Sequence, residues 1–150
     1  MDRRTIDALI KIKNGCMARK DSVLVFRSFE VSLVLDFLLK HYYIATYSPY
    51  DRVHYVVKLR YLSTGKSVIN TINVISYPNR PIYMTFKDIK KNFYANPNNL
   101  SLFRAACPYN TLYLKNGIGI DMVTTKKTGI LELEEIMKRR IGAEVLLTVN

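Results

Sequence analysis

The sequence predicts a mixed α+β fold made of two small units. The first, residues 1–76, is of α-β-α-β-β type, and the second, residues 77–150, is mostly β with a short helix. Three observations carry the expectation. A helical apolar period, a short β-branched run and a second helical period open the chain; the period then shortens to strand-like alternation from Tyr42; and the proline-punctuated stretch SYPNRP, Ser76 to Pro81, separates this from a second series of elements.

Residues 3–19 suit a helix with Ile6, Leu9 and Ile10 on one face and Arg3, Arg4 and Lys11 away from it. Asn14-Gly15 either ends it or is passed through, in which case Cys16 and Met17 join the apolar stripe. SVLVF, residues 22–26, reads as a buried strand, and Ser28 as the N-cap of a helix carrying Val31, Val34, Leu35, Leu38 and Leu39 and ending near His41. YYIATYS, RVHYVVKLRYL and SVINTINVIS then form an expected three-strand meander with turns at SPYD and STGK. Its tyrosines are read as half-buried cross-strand partners, with base stacking as the other use.

In the second unit PIYMTF starts a strand and KDIKKNFY a short basic helix. Residues 95–111, ANPNNLSLFRAACPYNT, show no clear period and are expected as an inserted surface loop. LYLKNGIGIDMVTT reads as a hairpin turning at Asn116-Gly117. The last helix is ordered for its dipole, with Glu132, Glu134 and Glu135 early and Lys138, Arg139 and Arg140 late; Gly142 closes it before the strand EVLLTV.

Function is bounded by charge. The 150 residues hold 23 Lys and Arg against 12 Asp and Glu, a formal net charge of +11, and the cations are spread along the chain. Such a surface fits a folded body pressed against a polyanion, with nucleic acid ahead of an anionic membrane; a merely solvated basic surface is the plain alternative. No apolar run reaches the roughly 20 residues of a membrane span. Cys16 and Cys107 lie far apart, and His41 and His54 have no ligand spacing to either, so no metal and no cofactor is expected. No nucleophile elbow, P-loop or dinucleotide fingerprint occurs, and no catalytic residue is assigned.

One stretch looks built for binding. VTTKKTG, Val123 to Gly129, places hydroxyls and positive charge between two apolar runs and just ahead of a helix. Thr124 and Thr125 offer donors and acceptors to phosphate or ribose, Lys126 and Lys127 neutralise phosphates, and Gly129 permits close backbone approach. A solvated strand-to-helix turn explains the same residues equally well.

Four stretches in the right order carry a family likeness. They are IDALIKIKNG (Ile6 to Gly15), LLKHYYIATY (Leu38 to Tyr47), LRYLSTGKSVINTINVISYPNRPIY (Leu59 to Tyr83), and GIGIDMVTTKKTGIL followed by IGAEVLL. The chain resembles, over nearly its whole length, the small-subunit ribosomal protein S-eight family of bacterial and organellar type. The resemblance implies two α/β units side by side, binding to the central domain of small-subunit rRNA, contacts with neighbouring small-subunit proteins, and a non-enzymatic role in subunit assembly and translation. It also implies RNA contacts at Thr124, Thr125, Gly129, Tyr83, Gly142 and Glu144, with backbone contacts from the first helix through Arg4, Lys13 and Asn14.

There are departures from the family pattern. Lysines replace a hydroxyl in a loop one residue longer, Ala143 replaces a second glycine, Pro81 replaces an arginine, and no Ser or Thr caps the last helix. The 95–111 stretch has no counterpart of that length in the family, and together with the Tyr- and Asn-rich composition it points to a divergent organellar ribosome, mitochondrial first, plastid or bacterial cytoplasm otherwise. Leu102 and Phe103 are expected to touch a neighbouring ribosomal protein. A basic protein-interaction module without RNA-structure specificity is the alternative function.

Overall fold

Helix α1, Arg3–Met17, opens the computed structural model, which describes residues 1–93, 100–105, 130–140 and 142–150. Its buried stripe is Thr5, Ile6, Ala8, Leu9, Ile12, Gly15 and Cys16, the i, i+3, i+4 pattern of one helix face. Ile10, expected on that face, is instead 47% exposed, because it stands about 100° round the helix from Leu9. The helix runs through Gly15 for a steric reason. A Cβ there would lie 2.5 Å from Val23 Cγ1 and 3.0 Å from Leu59 Cδ1, so the missing side chain lets the helix settle on the sheet.

The N-terminal sheet has the order β1-β3-β2, from β1 (Ser22–Phe26), β2 (Ile44–Pro49) and β3 (His54–Leu59), all antiparallel. Between β1 and β2 runs α2, Phe29–Lys40, whose Ser28 cap accepts from Val31 N at 3.2 Å as expected. Both helices close in the same way. Lys20 N donates to Gly15 O and Tyr43 N to Leu38 O, with Arg19 and Tyr42 in the left-handed region at φ 52 and 60 where glycine is usual. Within this unit Tyr43, Tyr47, Tyr55 and Tyr61 are half-buried, and Tyr47 meets Tyr55 edge-on at 5.5 Å.

The third strand of the expected meander goes elsewhere. β4, Ile72–Val74, pairs with β8, Ala143–Val149, in a second sheet of order β4-β8-β6-β7, and β5, Tyr83–Met84, also pairs with β8. Sequence order favoured a local partner, but β8 buries nearly every residue and recruits strands on both sides. Helices α3, Phe86–Phe93, and α4, Leu133–Arg139, complete the unit, giving the α+β architecture that the sequence predicted.

The expected inserted loop also needs correction. Leu100–Ala105 is strand β6, paired on one side with β8 and on the other with β7, Ile130–Glu132. Phe103 is fully buried among Ile89, Ile136, Ala143 and Val145, so it serves the core and not a neighbouring protein. The sequence hid this strand because its alternation breaks: the register slips between Leu102 and Phe103, which face Leu147 and Val145 and leave Leu146 as an extra residue.

That slip has a structural use. A one-residue shift reverses the faces of a strand, so Ala143 and Val145 enter the core with Phe103 while Leu147 and Val149 enter the larger core of α1, α2 and the first sheet. A second link ties the end of α2 to the start of α4. Glu132, at the N-cap of α4, receives Lys40 Nζ at 2.6 Å and lies 3.1 Å from His41 Nε2 at the end of α2. Burial pushes its carboxyl up, but the bonds and charges of Lys40 and His41 outweigh that and hold it below its ordinary value.

Candidate nucleic-acid interface

Strand β8 organises the candidate site. Tyr83 stands opposite Glu144 and Met84 opposite Ala143, which sets Tyr83, 60% exposed, at the margin of the second sheet. Gly142 precedes β8 against the same strand. A Cβ there would lie 3.0 Å from Met84 O and 3.7 Å from Thr85 Cα, so the protein's own backbone already accounts for glycine at this position. Glu144 is 4% exposed, its carboxylate 3.9 Å from the Met1 ammonium.

Between β4 and β5 the stretch SYPNRP makes a closed turn. Ser76, itself buried, accepts Ile82 N at 2.9 Å through its hydroxyl, and Tyr77 and Arg80 exchange backbone bonds of 3.3 and 3.0 Å. Read from sequence as a linker, it in fact presents exposed Tyr77 and Arg80 a few residues ahead of Tyr83 in the chain. Arg80 stands one residue ahead of the place where the family resemblance expects an arginine. The two prolines and the Asn-Arg pair were the available signal.

Lys13 meets Tyr77 from α1. With Ile6, Leu9, Ile72, Val74 and Tyr77 it lines a cleft of about 250 Å³ between the helix and β4. Arg4 and Asn14 are exposed on α1, but Arg4 lies nine positions before Lys13, roughly half a turn round the helix, so these two cations do not share a face. Thr124, Thr125, Lys126, Lys127 and Gly129 lie outside the described residues, as do Cys107 and the Asn116-Gly117 hairpin.

Other chemistry finds little footing. Burial pushes the Cys16 thiol up, against a smaller lowering by a hydrogen bond with Ser67, which is the reverse of what a nucleophile needs. Among the described residues no group of three His, Cys, Asp or Glu could hold a metal ion, and no helix is long and apolar enough to cross a membrane.

A net charge of +11 on a two-sheet α+β body, with Lys13 and Tyr77 lining one cleft and Arg80 and Tyr83 exposed in the segment that follows, defines a protein of the polyanion-binding class. Comparison with known proteins is specific. The family model for Ribosomal protein S8 matches residues 4–96. The small ribosomal subunit protein uS8 of Campylobacter hominis is 34% identical over 146 residues, covering 95% of this chain and 94% of the relative. Its counterparts in Aliarcobacter butzleri and Agrobacterium fabrum are 33% and 30% identical over 147 residues each, with 95% of this chain covered. The chain therefore belongs to the ribosomal protein S8 family, and its role is that of a structural, non-enzymatic constituent of the small ribosomal subunit.

Proposed function

We propose that the chain binds the central domain of small-subunit rRNA through the margin of its second sheet and the Thr124–Gly129 loop, and that it supports small-subunit assembly beside neighbouring ribosomal proteins. The observation that carries this is the cleft shared by Lys13 and Tyr77, with Arg80 and Tyr83 exposed in the SYPNRP turn and the strand β5 that follow. Cations there neutralise phosphates, and the exposed tyrosines supply flat surfaces to sugars or unstacked bases. Gly142 and Glu144 act indirectly, Gly142 by allowing the close approach of β5 to β8 and Glu144 as the partner of Tyr83 in that pairing. Lys126, Lys127, Thr124 and Thr125, which precede β7 in the sequence, add charge and hydroxyls. Arg4 and Asn14 extend the contact along α1.

The division into a unit of residues 1–76 and an RNA-binding unit of residues 77–150 belongs to the same proposal. It is supported by the smaller buried cluster, whose buried residues all lie beyond 77, while the larger one takes Leu146, Leu147 and Val149 from β8, which with β4 ties the units together. A mitochondrial ribosome is the proposed setting, on the strength of the Tyr- and Asn-rich composition and the altered loop; the relatives named above are bacterial. Co-sedimentation of the tagged protein with the small subunit of purified mitochondria supports that setting, and recovery only from another compartment rejects it. For the RNA site, Tyr83→Ala and the Lys126→Ala/Lys127→Ala double variant should each weaken binding to a central-domain fragment, the lysine pair also flattening the salt dependence by about two contacts. Full affinity in both variants would reject the site and favour a basic protein-interaction module.

A further inference from the structure

The N-terminal sheet turns one face to its helices and leaves the other open. Val25, Ile44, Val57 and Leu59 are buried in the core with residues of α1 and α2. On the opposite face the register sets Leu24 against Val56 and Phe26 against His54, with Ser48 also beside Val56. Lys58 continues that face between Ser22 and Thr46. Leu24 stays 43% exposed at the middle of its strand and Phe26 40% exposed at the end. Neither is accounted for by the core.

The aromatic end of this face has a definite geometry. The Phe26 and His54 rings lie 4.7 Å apart at an interplanar angle of 36°, and Lys11 from α1 holds its ammonium 5.0 Å from the Phe26 centroid. The hairpin turn at the same end adds exposed Tyr50, Arg52 and Val53. Asp51 in that turn stays ionised and, with its side chain 45% exposed, sets one negative charge beside Arg52. Its carboxylate accepts Val53 N and His54 N at 2.6 Å each and lies 2.9 Å from His54 Nδ1, and these bonds hold its pKa below the ordinary value.

We propose that this open face binds unpaired RNA, with Phe26 and His54 as a platform for a stacked base and Lys11, Arg52 and Lys58 as phosphate partners. Flat rings on a rigid sheet, spaced hydroxyls at Ser48 and Thr46, and cations at both ends are what single-stranded RNA requires. A protein partner would call for a broader apolar centre free of charge, whereas here the apolar strip is Leu24 and Val56 between Lys58 and the Lys11-capped ring. The surface shares no residue with the Tyr83 site, so it is a second RNA contact and stands or falls separately.

The test is fluorescence anisotropy of the full-length protein with a labelled, unstructured oligouridylate, together with amide shift mapping by NMR. Binding should perturb residues 22–26 and 54–58. Phe26→Ala should weaken it roughly five- to a hundredfold, the range for losing one stacked base, while Phe26→Tyr should preserve it. Lys58→Ala should reduce the salt slope by about 0.7. Absence of oligouridylate binding, equal affinity in Phe26→Ala, or shifts confined to the second sheet would overturn the proposal. So would a Phe26→Ala variant that keeps RNA affinity but loses a neighbouring ribosomal protein. Failure of the Tyr83 variants on the structured fragment would leave this outcome untouched.

Discussion

Replacing Phe103 by alanine tests the least expected part of the fold. The side chain is fully buried in β6, between β8 and β7, and packs with Ile89, Ile136, Ala143 and Val145. Removing a ring from such a site costs about 3–5 kcal/mol, the lost transfer energy plus a cavity that a sheet flanked on both sides cannot close. Against a total stability of about 5–15 kcal/mol this is a large fraction. For a chain of this size each kcal/mol moves Tm by about 2–4 °C, so a fall of roughly 6–20 °C is expected in thermal unfolding followed by circular dichroism. Phe29→Ala is the control: that ring is 64% exposed at the start of α2 and should cost less than about 0.5 kcal/mol. A Tm for Phe103→Ala equal to that of Phe29→Ala would return residues 100–105 to the surface and refute the bulge argument.

Two further outcomes follow from the packing. Gly15→Val should destabilise by about 1–3 kcal/mol in urea unfolding, since its side chain would enter space held by Val23 and Leu59, and neutrality would mean that α1 does not seat on the sheet as described. For Glu132, the depressed carboxyl contributes stability above its unfolded value near 4.5, and that contribution is lost as pH falls through the lower folded value. Wild type should therefore be more stable than Glu132→Gln at neutral pH and converge with it in acid; a gap that persists at low pH would mean that the carboxylate charge is not what Lys40 and His41 hold.

Much of the first unit was legible because its signals are local. The helical stripe of α1, the Ser28 cap and the β-branched SVLVF each specify their element within a few residues, although SVLVF, expected to be buried, buries only Val25 and leaves Leu24 and Phe26 exposed. The second unit was harder because its order is set by β8, far along the chain. Ile72–Val74 reads as a third meander strand until a remote partner is present, and Leu100–Ala105 reads as loop because a one-residue slip breaks its alternation. His41 was legible as a helix end, whereas its pairing with Glu132 joins residues 91 positions apart. At the site, Tyr83 was found through the family motif and lies exposed, but Glu144 from the same motif is buried, which no local pattern revealed. Tyr77 and Arg80 were passed over because proline-rich turns resemble linkers.

The most direct test of the central claim is a salt titration of binding to a central-domain fragment of small-subunit rRNA, beside a regular duplex of equal length. Affinity for both should fall steeply with salt, as a charge of +11 requires. The account predicts that the fragment stays bound at salt concentrations where the duplex has dissociated, because shape adds to charge. Parallel loss from both would contradict it and reduce the protein's RNA affinity to charge alone.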